Sequence, residues 1–320
     1  TVNGNAMKTR LVPAAAVAAL VINSACSQEP QAPVSAPEMS PASVVNEVAV
    51  DYYAHVLATA PEAAYFSGIE LDRHDGLSDN SLAAVAASEA AIDAMLARLQ
   101  TVDADDLVGD PAWITYAYLR EEIEAKVGVR VCRTEIWNVN QMGGWQLGYA
   151  QIAQLQPVGT AELREQSLAR WSKLAVSIDQ ELVNLGEGIK LGYTAPKTVV
   201  RRVVGQVDGL LALDVEQSPF YSPAARDDDE AFAAATRSIV VEQITPALKR
   251  YREFLAGPYL EQARDELSIT ANPDGRACYD ASLRSYTTAS MPDVARAARV
   301  HPSTPEGDGV KLRGTSSTSR

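Results

Sequence analysis

Residues 160–192 read TAELREQSLARWSKLAVSIDQELVNLGEGIKLG. Apolar side chains in this stretch recur every three or four positions, as on one face of an α-helix. They are Leu163, Leu168, Trp171, Leu174, Ile178, Leu182 and Leu185. Thr160 can cap the first turn, and the glycines between 186 and 192 can end the last one. The pattern predicts one long helix from Thr160 to about Gly186–Gly192.

The same helical spacing extends to both sides, from about Val44 to Leu283, and no segment keeps the alternation of a strand. We therefore predict an all-α fold, a multi-helix array. Caps and prolines predict helices from Ser43 to about Ala60, from Ser78 or Asn80 to about Leu99, from Asp110-Pro111 to near Gly128, after Pro196, from Asp227, and from about Pro273 to Tyr286. Thr245-Pro246 predicts a kink or a fresh start, and Gly257-Pro258 predicts a break.

The charge balance limits the partners of the chain. Its 320 residues include 28 Lys plus Arg and 41 Asp plus Glu, which gives a net charge of −13 with histidine neutral. Sequence-independent binding to nucleic acid needs a basic surface, so we expect no nucleic-acid partner. The three histidines and three cysteines leave few ligands for a metal site of imidazole and thiolate.

Residues 1–26 have the pattern of a few upstream residues followed by an export signal. A basic segment after Met7 precedes an apolar run at 11–22, which is too short to span a membrane. The run ends in Asn23-Ser24-Ala25-Cys26, which resembles a bacterial lipobox, although Asn23 departs from that pattern. We predict that Cys26 receives a lipid; the alternative is a plain signal peptide cleaved near Ala25.

The lipid would hold the protein to a membrane. Ser27 after the cysteine favours the outer membrane, facing the periplasm, so we predict an exported, membrane-anchored lipoprotein. Residues 27–43 are proline-rich and form a predicted tether, and residues 44–290 form the predicted helical domain. Residues 291–320 lose the periodicity and are either a disordered tail or non-native sequence after a lost reading frame.

Cys132 and Cys278 are the two remaining cysteines. They could pair in an oxidising periplasm, or they could stay as free buried thiols. A separation of 146 positions says nothing about their distance in space, so the sequence leaves both alternatives open.

The motifs of well-known catalytic sites are missing from the sequence. It contains no H-E-x-x-H, G-x-S-x-G, S-x-x-K or G-x-x-x-x-G-K. His55 follows Asp51 by four residues and His74 lies in a predicted turn, but no three histidines have the spacing of a zinc site. We assign no catalytic residue, no metal ligand and no cofactor to this chain.

The stretch 135–146 supplies most of the candidate contacts. It places two tryptophans, two asparagines, two glutamines and a Gly-Gly pair between predicted helices. Asn138, Asn140, Gln141 and Trp145 on such a loop would suit a cleft that hydrogen-bonds a polar substrate. The alternative is a loop whose tryptophans fill the core and whose amides cap backbone groups.

A second candidate cluster surrounds the helix that follows Pro196. Tyr193 precedes the helix, and Arg201 and Arg202 lie in it. Positive charge near a helix start could receive the carboxylate of a substrate. The alternative is an ordinary exposed helix face.

Six segments in the same order resemble the bacterial family called domain of unknown function 885. They are HDGLSDNS at 74–81, WNVNQMGGWQ at 137–146, NLGEGIKLGYTAP at 184–196, SPFYSP at 218–223, PALKRYREFL at 246–255 with Tyr259-Leu260, and YDASLRSYTT at 279–288. The resemblance implies a largely helical, metallopeptidase-like fold whose members are often secreted or lipidated. It also implies longer members with a zinc motif, H-E-x-x-P-G-H-H, in their second half.

This chain resembles only the first half of such members, so no ligand or catalytic position can be transferred to it. The resemblance implies a truncated, lipid-anchored part of a zinc-dependent peptidase-like hydrolase that is inactive alone. Zinc and a peptide substrate would belong to the full-length member. The alternative hypothesis is a complete all-α periplasmic lipoprotein with a binding or scaffolding role.

Overall fold

The computed structural model describes residues 39–287. The predicted lipidation site at Cys26, the signal at 1–26, most of the tether and the tail at 291–320 lie outside these residues. The helices are α1 Pro41–Thr59, α2 Ala63–Ser67, α3 Leu82–Gln100, α4 Ala112–Val129, α5 Trp145–Leu155, α6 Ala161–Trp171, α7 Leu174–Leu191, α8 Lys197–Leu211, α9 Ser222–Ala225, α10 Glu230–Ser238, α11 Thr245–Phe254, α12 Leu260–Gln262 and α13 Gly275–Thr287.

The predicted all-α class is confirmed. Residues 39–287 contain no β-strand, and their one β-type contact is an isolated bridge between Pro196 and Arg264. Within the same residues, no helix combines the length and the apolar character that crossing a bilayer requires.

Two groups of buried apolar side chains hold the helices together. In the first group, α1, α3 and α4 pack through residues such as Val48, Leu99 and Ile123, all fully buried. The second group is larger and joins α5, α6, α7, α8 and the segment 239–263; it includes the fully buried Trp171 and Tyr251. Full burial of one such side chain contributes about 2 kcal/mol, so these two groups supply the main stabilisation.

The single helix predicted for 160–192 is wrong in one respect, because the structure divides it into α6 and α7. The backbone N–H of Ser172 bonds to Leu168 and ends α6, and α7 begins at Leu174. Arg170, the residue before Trp171, is fully buried and donates to the carbonyl of Gly76. A contact with a segment 94 positions away therefore accompanies this break, which no local glycine or proline marks.

The predicted break at Gly257-Pro258 is also wrong. Residues 230–262 continue as helix through two π-helical turns, Ile239–Ile244 and Leu255–Tyr259. Proline has no N–H to donate, and a wider π turn tolerates that loss within a continuing helix. Pro258 lies inside the second π turn, and Pro246 lies in the first turn of α11, just after the other.

Helix starts agree with the sequence to within a few residues. Asp110 accepts the N–H of Ala112 at 2.8 Å, as a capping carboxylate should. Ser40 rather than Ser43 caps α1, so residues 41–43 belong to this helix and not to a tether. Ser81, rather than Ser78 or Asn80, caps α3.

A disulfide joins Cys132 and Cys278, which settles the alternative that the sequence left open. The bond links the turn after α4 to α13. Arg284 of α13 also pairs with Glu121 and Glu124 of α4, at 3.1 and 2.9 Å. The disulfide and these ion pairs therefore attach α13, the last described helix, to α4 and to the turn that follows it.

Removal of the disulfide should lower the free energy of unfolding by about 2 to 5 kcal/mol, because the bond closes a loop of 146 positions in the unfolded chain. The test is urea unfolding of the native protein and of a Cys132→Ala/Cys278→Ala variant, each with and without reductant. Reductant should destabilise the native protein and leave the variant unchanged. Equal unfolding midpoints for all four samples would contradict the prediction.

Candidate functional site

The segment at 134–144 is positioned by a close contact with α7. A Cβ atom built on Gly188 would lie 1.9 Å from the carbonyl oxygen of Ile136, so only glycine allows this approach. Ile136 and Val139 are buried on the protein side of the segment. The indole of Trp137 donates to the carbonyl of Cys132 at 2.8 Å, which fixes the ring.

Side chains at the end of this segment organise its backbone. The side-chain oxygen of Asn140 accepts the N–H groups of Met142 and Gly143 at 2.8 and 3.1 Å. This is the backbone-capping role that the sequence offered as an alternative for these amides. Helix α5 then begins at Trp145, so Trp145 and Gln146 lie in a helix and not in the predicted loop.

A series of hydrogen bonds between side-chain amides and backbone carbonyls connects the segment to α8. Gln146 is buried and donates both to the carbonyl of Asn140 and to the side chain of Gln206, each at 2.9 Å. Gln206 in turn donates to the carbonyl of Gln141 at 2.9 Å. Arg202 donates to the side-chain oxygen of Gln141 at 3.2 Å. These bonds hold the segment in one conformation, which suits a preformed binding surface.

A surface groove of about 380 Å³ lies between this segment, the start of α8 and the residues that follow α12. We call it the Trp137 groove; its lining includes Trp137, Asn138, Gln141, Pro196, Arg264 and Leu267. The guanidinium of Arg264 lies 5.4 Å from the centre of the Trp137 ring. The groove thus combines an aromatic face, a cation and side-chain amides.

Two side chains in the Trp137 groove have capacity left for a ligand. Asn138 is exposed, and its side chain makes no hydrogen bond within residues 39–287. Arg264 donates to the carbonyl of Glu266 and to the side chain of Asn272, which orients the guanidinium. Burial lowers the pKa of Arg264 from its ordinary value.

The other predicted contact residues lie elsewhere. The indole nitrogen of Trp145 is buried, and its ring packs against Tyr251 with centres 4.9 Å apart. Tyr193 is buried, and its hydroxyl donates to Asp274 at 3.3 Å. Arg201 is exposed on α8 and makes no ion pair within the described residues. The structure therefore gathers Asn138, Asn140 and Gln141 in the groove, with Arg202 bound to Gln141 from α8.

The sequence analysis missed a buried polar cluster around Glu181. This residue of α7 is 4% exposed, and Asn80 donates to its Oε2 at 3.2 Å. Its Oε1 has no hydrogen-bond partner, and the same is true of the buried hydroxyl of Tyr251. A signal was available, since Glu181 interrupts the apolar face between Ile178 and Leu185.

The environment of Glu181 favours its neutral form. Burial raises the pKa of Glu181 from 4.5 to about 7, and the hydrogen bond from Asn80 opposes the rise only in part. Asn80 and Ser177 lie at the edge of a surface groove of about 340 Å³, so the cluster lies directly behind that groove. Carboxyl groups that change charge near neutral pH are common in functional sites, and they also occur in ion-pair networks that only stabilise the fold.

The described residues do not fit a zinc site. No group of three His, Cys, Asp or Glu side chains within 39–287 converges on a point. His55 bonds to Ser88 at 2.8 Å and His74 bonds to Tyr65 at 2.6 Å, in separate places. Both described cysteines are in the disulfide. We therefore assign no metal-dependent step to residues 39–287.

Glu181→Gln should change how stability depends on pH. Because the folded-state pKa of Glu181 is raised, the folded protein holds a proton that the unfolded chain loses between about pH 4.5 and pH 7. Stability of the native protein should therefore fall as pH rises through this range. The variant should avoid this loss and be more stable by about 3 kcal/mol at pH 8.

Urea unfolding at several pH values between 4.5 and 8.5 tests this. Glu187→Gln is the matched control, because Glu187 lies on the same helix in a surface ion pair with Lys190. The plot of its free energy of unfolding against pH should run parallel to the plot of the native protein. If the plot of Glu181→Gln also runs parallel to that of the native protein, burial does not govern the ionisation of the Glu181 carboxyl.

The fold is similar to that of a solved protein. The crystal structure of the "putative lipoprotein" from Colwellia psychrerythraea superposes with a TM-score of 0.67 at 13% sequence identity. The match covers 82% of this chain and 50% of that one, so this chain spans about half the length of its structural relative. No curated protein sequence matches the chain.

The family comparison agrees with the six ordered segments. Residues 61–298, most of the chain, match the sequence profile of a family described as bacterial protein of unknown function (DUF885). The chain belongs to this family.

Proposed function

We propose that this chain is the substrate-binding, N-terminal half of a lipid-anchored helical hydrolase of peptidase type. Two findings support the proposal: the family match, and the similarity to half of a larger helical protein. In this proposal Cys26 carries the lipid, and the protein is exported and held at the outer membrane, facing the periplasm.

The observation that carries the proposal is the composition of the Trp137 groove. An aromatic ring, a guanidinium and several side-chain amides, of which that of Asn138 is unpaired within residues 39–287, line one preformed surface of about 380 Å³. Side-chain amides can bond to the N–H and C=O groups of an extended peptide, and guanidinium can pair with a carboxylate. A polar peptide, with an acidic group near Arg264, is the ligand class that fits this chemistry.

Catalysis would belong to the other half of the full-length protein. The described donors do not fit a zinc site, and the zinc implied by the family resemblance would need ligands from outside residues 39–287. The present chain would bind peptide without hydrolysing it. Residues 39–287 would then form one wall of a cleft that the second half completes.

A binding role without catalysis is the second candidate function. The disulfide and the amide chain at Gln146 and Gln206 favour it, because both hold the groove in place within this helical unit. A lipoprotein that only binds would use the same groove. The two candidates differ in whether a catalytic half must be present for function.

Binding of acidic peptides should depend on the Trp137 groove. Asn138→Ala removes a side chain that has no partner within residues 39–287, so the fold should be unaffected and the affinity should fall about three- to tenfold. Arg264→Gln should weaken acidic peptides more than neutral ones. The measurement is fluorescence anisotropy of labelled acidic and neutral peptides with the purified protein.

Arg201→Gln is the matched control, because Arg201 is an exposed cation on α8 that does not line the groove. It should leave the affinity unchanged. An equal loss with Arg201→Gln would mean that the affinity reflects general charge attraction, and the groove would lose its role. Stoichiometric zinc bound through His55 or His74, together with hydrolysis of the peptides, would overturn the division into binding and catalytic halves.

A further inference from the structure

Arg170 is a fully buried cation without an anionic partner in the described part of the chain. Its guanidinium donates to the carbonyl of Gly76, the hydroxyl of Tyr65 and the side chain of Gln156, each at 2.7 Å. Its Nη2 atom is buried and has no partner. A buried charge normally needs an opposite charge nearby, because removing it from water is costly. The site thus has an unbalanced positive charge.

The hydroxyl of Tyr65 connects this charge to His74. Tyr65 accepts a hydrogen bond from Arg170, and its own proton can reach Nδ1 of His74, 2.6 Å away. Burial lowers the pKa of His74, and the charge of Arg170 lowers it further. The lowered pKa favours the neutral ring, and a neutral His74 that accepts the Tyr65 proton at Nδ1 carries its own proton on Nε2, which has no partner within residues 39–287. The N–H at Nε2 is a free donor.

Tyr65 and His74 form the polar side of a surface pocket of about 540 Å³. Apart from Glu70, its other walls are apolar and include Ile69, Leu71, Leu155 and Pro157. The pocket lies between α2, the segment that follows it and the end of α5, away from the residues that line the Trp137 groove. We call it the His74 pocket.

Other charges around the His74 pocket are exposed or already paired. Glu70 is exposed on the lining, where water and salt screen it. Asp75 pairs with Arg73, and Lys173 donates to the backbone carbonyl of Asp75. None of these groups contacts Arg170, so its charge has no anionic partner in residues 39–287 and lies behind Tyr65, on the polar side of the pocket.

We infer that the His74 pocket binds the carboxylate of an aliphatic ligand. The carboxylate accepts the Nε2 proton of His74 and balances the charge of Arg170, and the aliphatic part lies against Leu71, Leu155 and Pro157. A free fatty acid and the C-terminus of a peptide that ends in leucine share this chemistry. The inference does not depend on the Trp137 groove, which uses other residues.

Isothermal titration of the full chain with octanoate and with octanamide tests the inference. The two probes share an aliphatic chain and differ in charge, so octanoate should bind at least tenfold more tightly. N-acetyl-leucine and its amide form a second pair, and the pair with the larger ratio identifies the source of the carboxylate. Equal affinities within both pairs would overturn the inference, whatever the variants show.

Tyr65→Phe should reduce the octanoate-to-octanamide ratio, because it removes the hydroxyl between Arg170 and His74. Tyr53→Phe, at an exposed tyrosine of α1, is the matched control and should keep the native ratio. Nuclear magnetic resonance of His74 gives a second readout: octanoate should raise its pKa, and octanamide should not. An unchanged ratio in Tyr65→Phe, or an unchanged pKa, would show that the carboxylate does not bind at His74.

Discussion

The arrangement of the candidate site depends on the absence of a side chain at Gly188. The carbonyl of Ile136 occupies the space that a Cβ atom would need, and the carbonyl of Tyr193 lies 2.9 Å from the same point. Helix α7 ends here, with Gly192 in the left-handed conformation at φ 80° and the N–H of Tyr193 bonded to the carbonyl of Gly188 at 2.8 Å. One residue of α7 thus contacts two separate chain segments.

These two segments become the two walls of the Trp137 groove. The segment from Ile136 continues into Trp137 and Asn138, and the segment from Tyr193 continues into Pro196. The N–H of Lys197 bonds to the carbonyl of Arg264 at 2.8 Å, which brings Arg264 to the groove. A shift of either segment at Gly188 would therefore change the distance between the aromatic ring and the guanidinium.

The sequence predicted those features that arise from local chemistry. Apolar spacing gave the helical class, and the carboxylate of Asp110 marked the start of α4, because caps and periodicity act within a few residues. The resemblance in six segments led to the family. Of the predicted loop at 137–146, Trp137, Asn138 and Gln141 line a surface groove, whereas Trp145 begins α5 and packs against Tyr251; a role in substrate binding stays a prediction.

Two of the three missed features arise from contacts between distant residues, and the third arises from a local change in helix geometry. The division between α6 and α7 accompanies the burial of Arg170 against Gly76, and the sequence near 172 gives no sign of it. The helix continues through Pro258 because a π turn accommodates the missing N–H, which a rule about prolines does not anticipate. Glu181 interrupts an apolar helix face in the sequence, but the sequence does not show which groups surround it, and it is burial in the folded protein that raises its pKa.

A comparison of two glycines on α7 tests the central claim about Gly188 most directly. Gly188→Ala should lower the free energy of unfolding by about 2 kcal/mol or more and weaken peptide binding, because Ile136 must move. Gly186→Ala should raise it by about 0.5 to 1 kcal/mol, because a side chain there meets no atom within 4 Å and alanine favours the helix. Urea unfolding of the native protein and of the two variants measures both changes in the free energy of unfolding. Opposite signs would support the account, and equal effects of the two substitutions would contradict it.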